Sequence, residues 1–112
     1  MKPIVEQVDD FMLSKYHNLW LDDGIVRVFV RKSRRNIKGV IHETFDIANI
    51  STIPKQYQGQ GYFKNFIQKV ESIGLAVYVE SIHNPLLTNM LEKNGYTIMV
   101  TEYDTNAIKY PS

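Results

Sequence analysis

An α/β sandwich, with helices laid over a mixed sheet, follows from three features of the sequence. The hydrophobic period stays close to 2 over much of residues 25–53 and changes to the helical 3.6 from about residue 61. Strand-like and helix-like segments then alternate, the order expected of a sheet with crossover helices. Two glycines, Gly59 and Gly61, stand where the first crossover strand gives way to its helix.

Taken in order, Ile4, Val8, Phe11, Met12 and Leu19 recur at helical spacing and predict an amphipathic helix from residue 3 to about 18. The segment Leu21 to Gly24 breaks it with a turn. "IVRVFVRKS" alternates apolar with basic residues, the pattern of a half-buried strand. A basic turn follows, then "IKGVIHE" as a second strand and "TFDIANISTI" as a third. Pro54 ends that strand because it cannot donate to a ladder. Phe63, Phe66, Ile67, Val70 and Ile73 line one face of a helix over 61–73, closed by Gly74 in the left-handed position after the last turn. "LAVYVES" is an unbroken apolar run, as in a strand covered on both faces. In "HNPLLTNMLEKNG", Asn84 is a good N-cap, Pro85 fits the first helical position and Gly95 ends the helix. "YTIMVTEY" reads as the final strand. The segments 45–53, 61–73 and 75–80 form a β-α-β crossover.

At 112 residues the chain is read as one domain, 1–112, with an N-terminal helix at about 3–18 and a core at about 25–103. It contains no cysteine, which excludes disulfides and thiolate chemistry. No two histidines share a metal-ligand spacing, so no metal site is expected. No apolar run approaches the roughly 20 residues of a membrane span, and "MKPIVEQVDD" lacks the apolar middle of a signal peptide. A cytoplasmic protein with no membrane contact is the expectation. The net charge is only +1, yet Arg27, Arg31, Lys32, Arg34, Arg35 and Lys38 fall in the acid-free stretch 25–41. Arg31, Lys32, Arg34 and Arg35 suit a nucleic acid, an acidic partner or a phosphorylated ligand, and equally suit a solvated hairpin tip.

The N–H groups at a helix N-terminus have no intrahelical partner and carry the positive end of the helix dipole. Residues 58–63 therefore offer several donors to a phosphate, provided no Cβ blocks the approach. The same glycines also suit a plain tight turn. No G-K-[ST] follows, as a P-loop requires, and a third glycine with a later acidic residue, as in a dinucleotide fingerprint, is missing.

"IPKQYQGQGYF", followed by a helix and then by "VYVESIHNPLLTNMLEKNGY", resembles the GNAT superfamily of acyl-CoA-dependent N-acyltransferases. That family carries R/Q-x-x-G-x-G/A between a strand and a helix, then a strand, an Asn opening a helix, and Gly-Phe or Gly-Tyr. The resemblance covers roughly residues 25–103 with both blocks in order, and the chain also looks like the short stand-alone GNAT domains often carried by bacteriophages and bacteria. Gln56, Gly59 and Gly61 satisfy the motif literally. A second frame, set by Pro54 and the helix start, places Gln58, Gly61 and Phe63 on it, with Phe63 directed into the core.

The resemblance implies a mixed, mostly antiparallel sheet with helices on both faces. It also implies acetyl-CoA bound where the strands 45–53 and 75–80 splay apart. The pantetheine arm would pair with the backbone of Ile50, Ser51, Thr52 and Ile53. The pyrophosphate would lie on Gln58, Gly59, Gln60, Gly61, Tyr62 and Phe63, and Asn84 would contact the pantetheine end.

Direct transfer of an acetyl group to a primary amine needs a general base for the ammonium proton. Asp46 and Glu80, each near a strand end by the splay, are the candidates, and each also reads as an ordinary strand-end carboxylate. His42 and His83 have the intrinsic pKa for such work but sit on strand or loop edges. The tyrosine that serves many family members as acid to the leaving thiolate is replaced by Leu91. Tyr78, Tyr96 and Tyr103 are either substitutes or structural residues. One N-terminal helix stands where family members have a strand and two helices. Three functions remain open: an N-acetyltransferase, a non-catalytic CoA-binding or protein-interaction module, and nucleic-acid binding through residues 31–38. The amine acceptor is not named by the sequence, and both a monomer and a homodimer fit.

Overall fold

One row of apolar side chains crosses the sheet and explains its architecture. The computed structural model describes residues 1–111. Helix α1 spans Ile4–Leu13, and strands β1 (Asn18–Asp22), β2 (Arg27–Ile37) and β3 (Val40–Ile50) follow as an antiparallel meander. Helix α2 (Tyr62–Glu71) leads to β4 (Ala76–Val79), and α3 (Pro85–Lys93) leads to the hairpin of β5 (Thr97–Val100) and β6 (Thr105–Lys109). The sheet order is β1-β2-β3-β4-β6-β5, and only the β3–β4 pair is parallel. It is the mixed, mostly antiparallel α/β sheet expected.

Val30, Ile47, Val79, Ala107 and Ile98 are successive partners across five strands, and all belong to the core cluster or pack against it. Phe11 of α1 meets Phe45 of β3 edge to face at 5.9 Å. Phe66, Ile67 and Val70 of α2 and Leu91 of α3 complete this core. The helices gather on this one face, since the buried residues of α1, α2 and α3 all join one core cluster. The next row, Arg31, Asp46, Tyr78 and Ile108, lies on the opposite face. That face is closed by the side chains of its own strands.

Four sequence expectations change. The first helix stops at Leu13, and Asn18–Asp22 forms an edge strand to which Gln7 bonds at both the N–H and C=O of Asp22. The basic segment is strand, not turn: β2 continues to Ile37, and Lys38 and Gly39, at φ 53° and 85°, make the two-residue hairpin loop. Both central residues at positive φ define a type I′ turn, which matches strand twist. The two segments expected as separate strands are one, Val40–Ile50. A further strand, Thr105–Lys109, inserts between β4 and β5, so the sheet runs past both ends of the 25–103 core.

Candidate active site

The sheet divides immediately beyond the parallel pair. The β3–β4 register ends at Ile47 and Val79, with Glu80 N donating to Ile47 O at 3.0 Å as the last link. From there β3 stays with β2: Ser51 N donates to Arg27 O at 2.9 Å. The chain after β4 goes the other way, Ile82 N donating to Thr105 O at 2.7 Å. Successive residues of a strand direct their backbone groups to opposite sides, so Ile50 turns its N–H and C=O into the opening. A β-bulge at Ala48, where the β2–β3 register slips between Phe29 and Val30, lies on the same wall.

The glycine turn stands at one end of this opening. Gly59 and Gly61 have φ of 74° and 82°, and a Cβ built on either meets nothing within 4 Å. The glycines thus serve backbone conformation and open approach, not packing. The first α2 bond is Asn65 N to Gly61 O, 2.9 Å. Among the described residues, the N–H groups of Gly59, Gln60, Gly61, Tyr62, Phe63 and Lys64 have no partner within the protein. This is a cradle suited to a phosphate or pyrophosphate. Gln58 is placed differently from its neighbours: its N–H donates to Lys55 O, and its side chain holds the carbonyl of Ile53 at 2.9 Å. Phe63 packs against the core, 5.8 Å from Phe66, and leaves the cradle clear. Asn84 caps α3, its Oδ1 accepting from Leu86 N at 2.9 Å.

Asp46 and Glu80 are brought together, on the face without helices. Asp46 is fully buried and accepts from Arg31 Nε (3.0 Å), Arg35 Nη2 (2.9 Å), Ser33 Oγ (2.7 Å) and Thr44 Oγ1 (2.7 Å). Burial alone would raise its pKa, but bonds from Arg35, Thr44 and Ser33 outweigh it and hold the carboxyl below the usual range. A carboxylate so satisfied is a poor proton acceptor. Glu80 Oε1 accepts from both Arg31 and Arg35, while Oε2 has no partner among the described residues. The Arg35 guanidinium also lies 3.9 Å above the Tyr78 ring. Lys32 turns to the other face, over Phe11 and onto Ser14 O, so of the four basic candidates Arg34 alone is exposed.

The remaining candidates are scattered. Leu91 is buried in the core. Tyr96 is buried and donates to Glu71 Oε2 at 2.9 Å; burial and that carboxylate push its pKa well above the ordinary value. Tyr103 is exposed on the β5–β6 turn. His42 packs against Tyr110 with the rings tilted at 56°, and His83 borders a cavity of about 250 Å³ with Ile82, Pro85 and Thr88. The arginine pair was missed as part of the site because the strand was read to stop at Ser33, which left Arg35 in a turn. Its signal was the i, i+2, i+4 spacing of Arg31, Ser33 and Arg35, one face of a strand.

No protein-family model matches the sequence, and no curated protein matches it. Solved structures do. The Bacillus subtilis N-acetyltransferase YlbP in complex with coenzyme A superposes with a TM-score of 0.63 at 11% identity, over 96% of this chain and 78% of that one. The KacTA–DNA complex gives 0.58 at 17%, over 93% and 79%. A mutant AtaT toxin, bound to the C-terminus of the antitoxin AtaR and also seen with acetyl-CoA, gives 0.58 at 16%, over 76% and 57%. The chain thus spans little more than half of the AtaT chain. At these identities the likeness is one of fold.

Proposed function

We propose that the chain is an acyl-CoA-dependent N-acetyltransferase acting on a primary amine. The observation that carries this reading is the opening between β3 and β4, set beside a helix N-terminus with six unpartnered N–H groups. Structural neighbours that hold coenzyme A or acetyl-CoA support it. Gly59 to Phe63 would hold the pyrophosphate, the backbone from Ile50 to Thr52 the pantetheine arm, and Asn84 its far end. Acetyl-CoA supplies the activated thioester.

The chain's own part is proton transfer and orientation. Glu80, at the apex of the opening with Oε2 free, accepts the proton of the acceptor ammonium, directly or through water. Attack of the amine on the thioester would break the carbon–sulfur bond, and the free Ile50 N–H would be the donor available to the developing oxyanion. Leu91 is buried and Tyr96 is committed to Glu71, so neither would protonate the leaving thiolate, which solvent could do. Asp46 serves as the anchor of Arg31 and Arg35, which in turn fix Glu80. Glu80→Gln should lower thiol release about 100-fold or more while leaving acetyl-CoA affinity unchanged. Turnover at the wild-type rate would remove Glu80 from the mechanism.

The toxin–antitoxin and DNA complexes among the neighbours favour a protein or nucleic-acid partner as a second reading. It gains little from the basic strand, because Arg31, Lys32 and Arg35 are already engaged within the protein.

A further inference from the structure

We propose that Ser81 and Asn106 form a latch that holds the opening between β3 and β4, and that Asn106 is a positioning residue for whatever occupies it. Ser81 follows the last residue bonded to β3 and has φ 52°, one of two described non-glycine residues at positive φ. The other, Lys38, is accounted for by its hairpin turn. No turn of that kind requires it at Ser81. Left-handed backbone in a non-glycine residue costs free energy and persists only where its surroundings impose it.

The hydrogen bonds show what imposes it. In the β4–β6 ladder Val79 lies opposite Ala107 and Val77 opposite Lys109, so Ser81 would next face Thr105. Instead Ile82 N takes the Thr105 carbonyl at 2.7 Å, and Ser81 is an extra residue, a bulge. Its displaced N–H is received by Asn106 Oδ1 at 2.9 Å. The Ser81 hydroxyl reaches Asp104 Oδ1 at 3.5 Å. The chain, which β4 places between β3 and β6, thereby leaves β3 within two residues while staying beside β6. Each wall of the opening carries one bulge, Ala48 on β3 and Ser81 beyond β4. Without the latch, an extended residue 81 would carry the chain onward beside β3 and close the gap.

The latch rests on this chain's own hydrogen bonds; its consequence for acetyl-CoA rests on the function proposed above. Two readouts keep these apart. Amide exchange, measured without any added ligand, should show Ser81 N–H protected in the wild type and in Asn106→Asp, which keeps an acceptor oxygen. It should be lost in Asn106→Leu. Ser81→Val, whose branched side chain resists positive φ, should gain protection at the Ile50 amide, while Ser81→Gly should behave as wild type. In titrations with acetyl-CoA, Asn106→Leu and Ser81→Val should bind about tenfold more weakly or worse, and Asn106→Asp and Ser81→Gly should bind as wild type. Unchanged exchange at Ser81 and Ile50 in folded Asn106→Leu and Ser81→Val would overturn the latch. If the exchange pattern responds as stated but the wild type takes no acetyl-CoA, the latch stands and the cofactor assignment falls.

Discussion

At the scale of single residues, Asp46 has the largest energetic stake. It is a fully buried carboxylate with four donors, and no buried side-chain polar atom among the described residues lacks a partner. Asp46→Ala would leave Arg31 and Arg35 without their common anchor. Breaking a buried pair in this way costs on the order of 3 kcal/mol. The pH dependence has a definite sign. Asp46 has its folded pKa below the value of about 3.9 expected in the unfolded chain, so its contribution is complete above that pH and is lost as pH falls through the folded value. Denaturant titrations should therefore show the gap between wild type and Asp46→Asn narrowing from about pH 4 downward. A gap that stays constant to the lowest pH at which both fold would mean that folding does not lower the pKa of Asp46.

Secondary-structure elements show how much of this was legible in the sequence. Helices α2 and α3 were readable because each carries several independent signals: apolar spacing, a glycine at the C-terminal end and, for α3, Asn84 with Pro85. The glycine turn was readable because positive φ leaves few alternatives to glycine. Strand β1 was not, because Leu19 continues a helical spacing that begins at Ile4 and only β2 supplies its partner. The same limit hid β6, whose Asn106, Ala107 and Ile108 lack a strong alternating pattern and gain their place by inserting beside β4. Charge misled at β2: "RKSRRNIK" looks solvated, yet Arg31 and Arg35 lie over Asp46. The β2–β3 hairpin yields its own prediction. Gly39 lies in the left-handed region with open space around it, so Gly39→Ala meets no clash and should cost about 1 kcal/mol from backbone conformation alone. Thermal unfolding would check this, and an unchanged or higher midpoint would contradict the type I′ turn.

For the molecule as a whole, the helices, the core and the polar sheet face have separate tasks around one opening. The apolar row from Val30 to Ile98 binds the sheet to its helices. The arginine–carboxylate cluster on the other face brings Glu80 to the apex, and α2 presents its unpartnered N–H groups at the margin. The likeness to YlbP and AtaT is one of fold alone, since identity is 11–16%. The central claim is that the opening and the glycine turn together hold an acyl-CoA, and calorimetric titration with acetyl-CoA tests it most directly. Gly61→Asn and Gly61→Glu belong beside the wild type. Asparagine tolerates the left-handed backbone and adds no charge, whereas glutamate sets bulk and negative charge where the pyrophosphate would lie. The account predicts micromolar binding by the wild type, measurable binding by Gly61→Asn and none by Gly61→Glu. No heat of binding from the wild type, or equal affinity in Gly61→Glu, would contradict it.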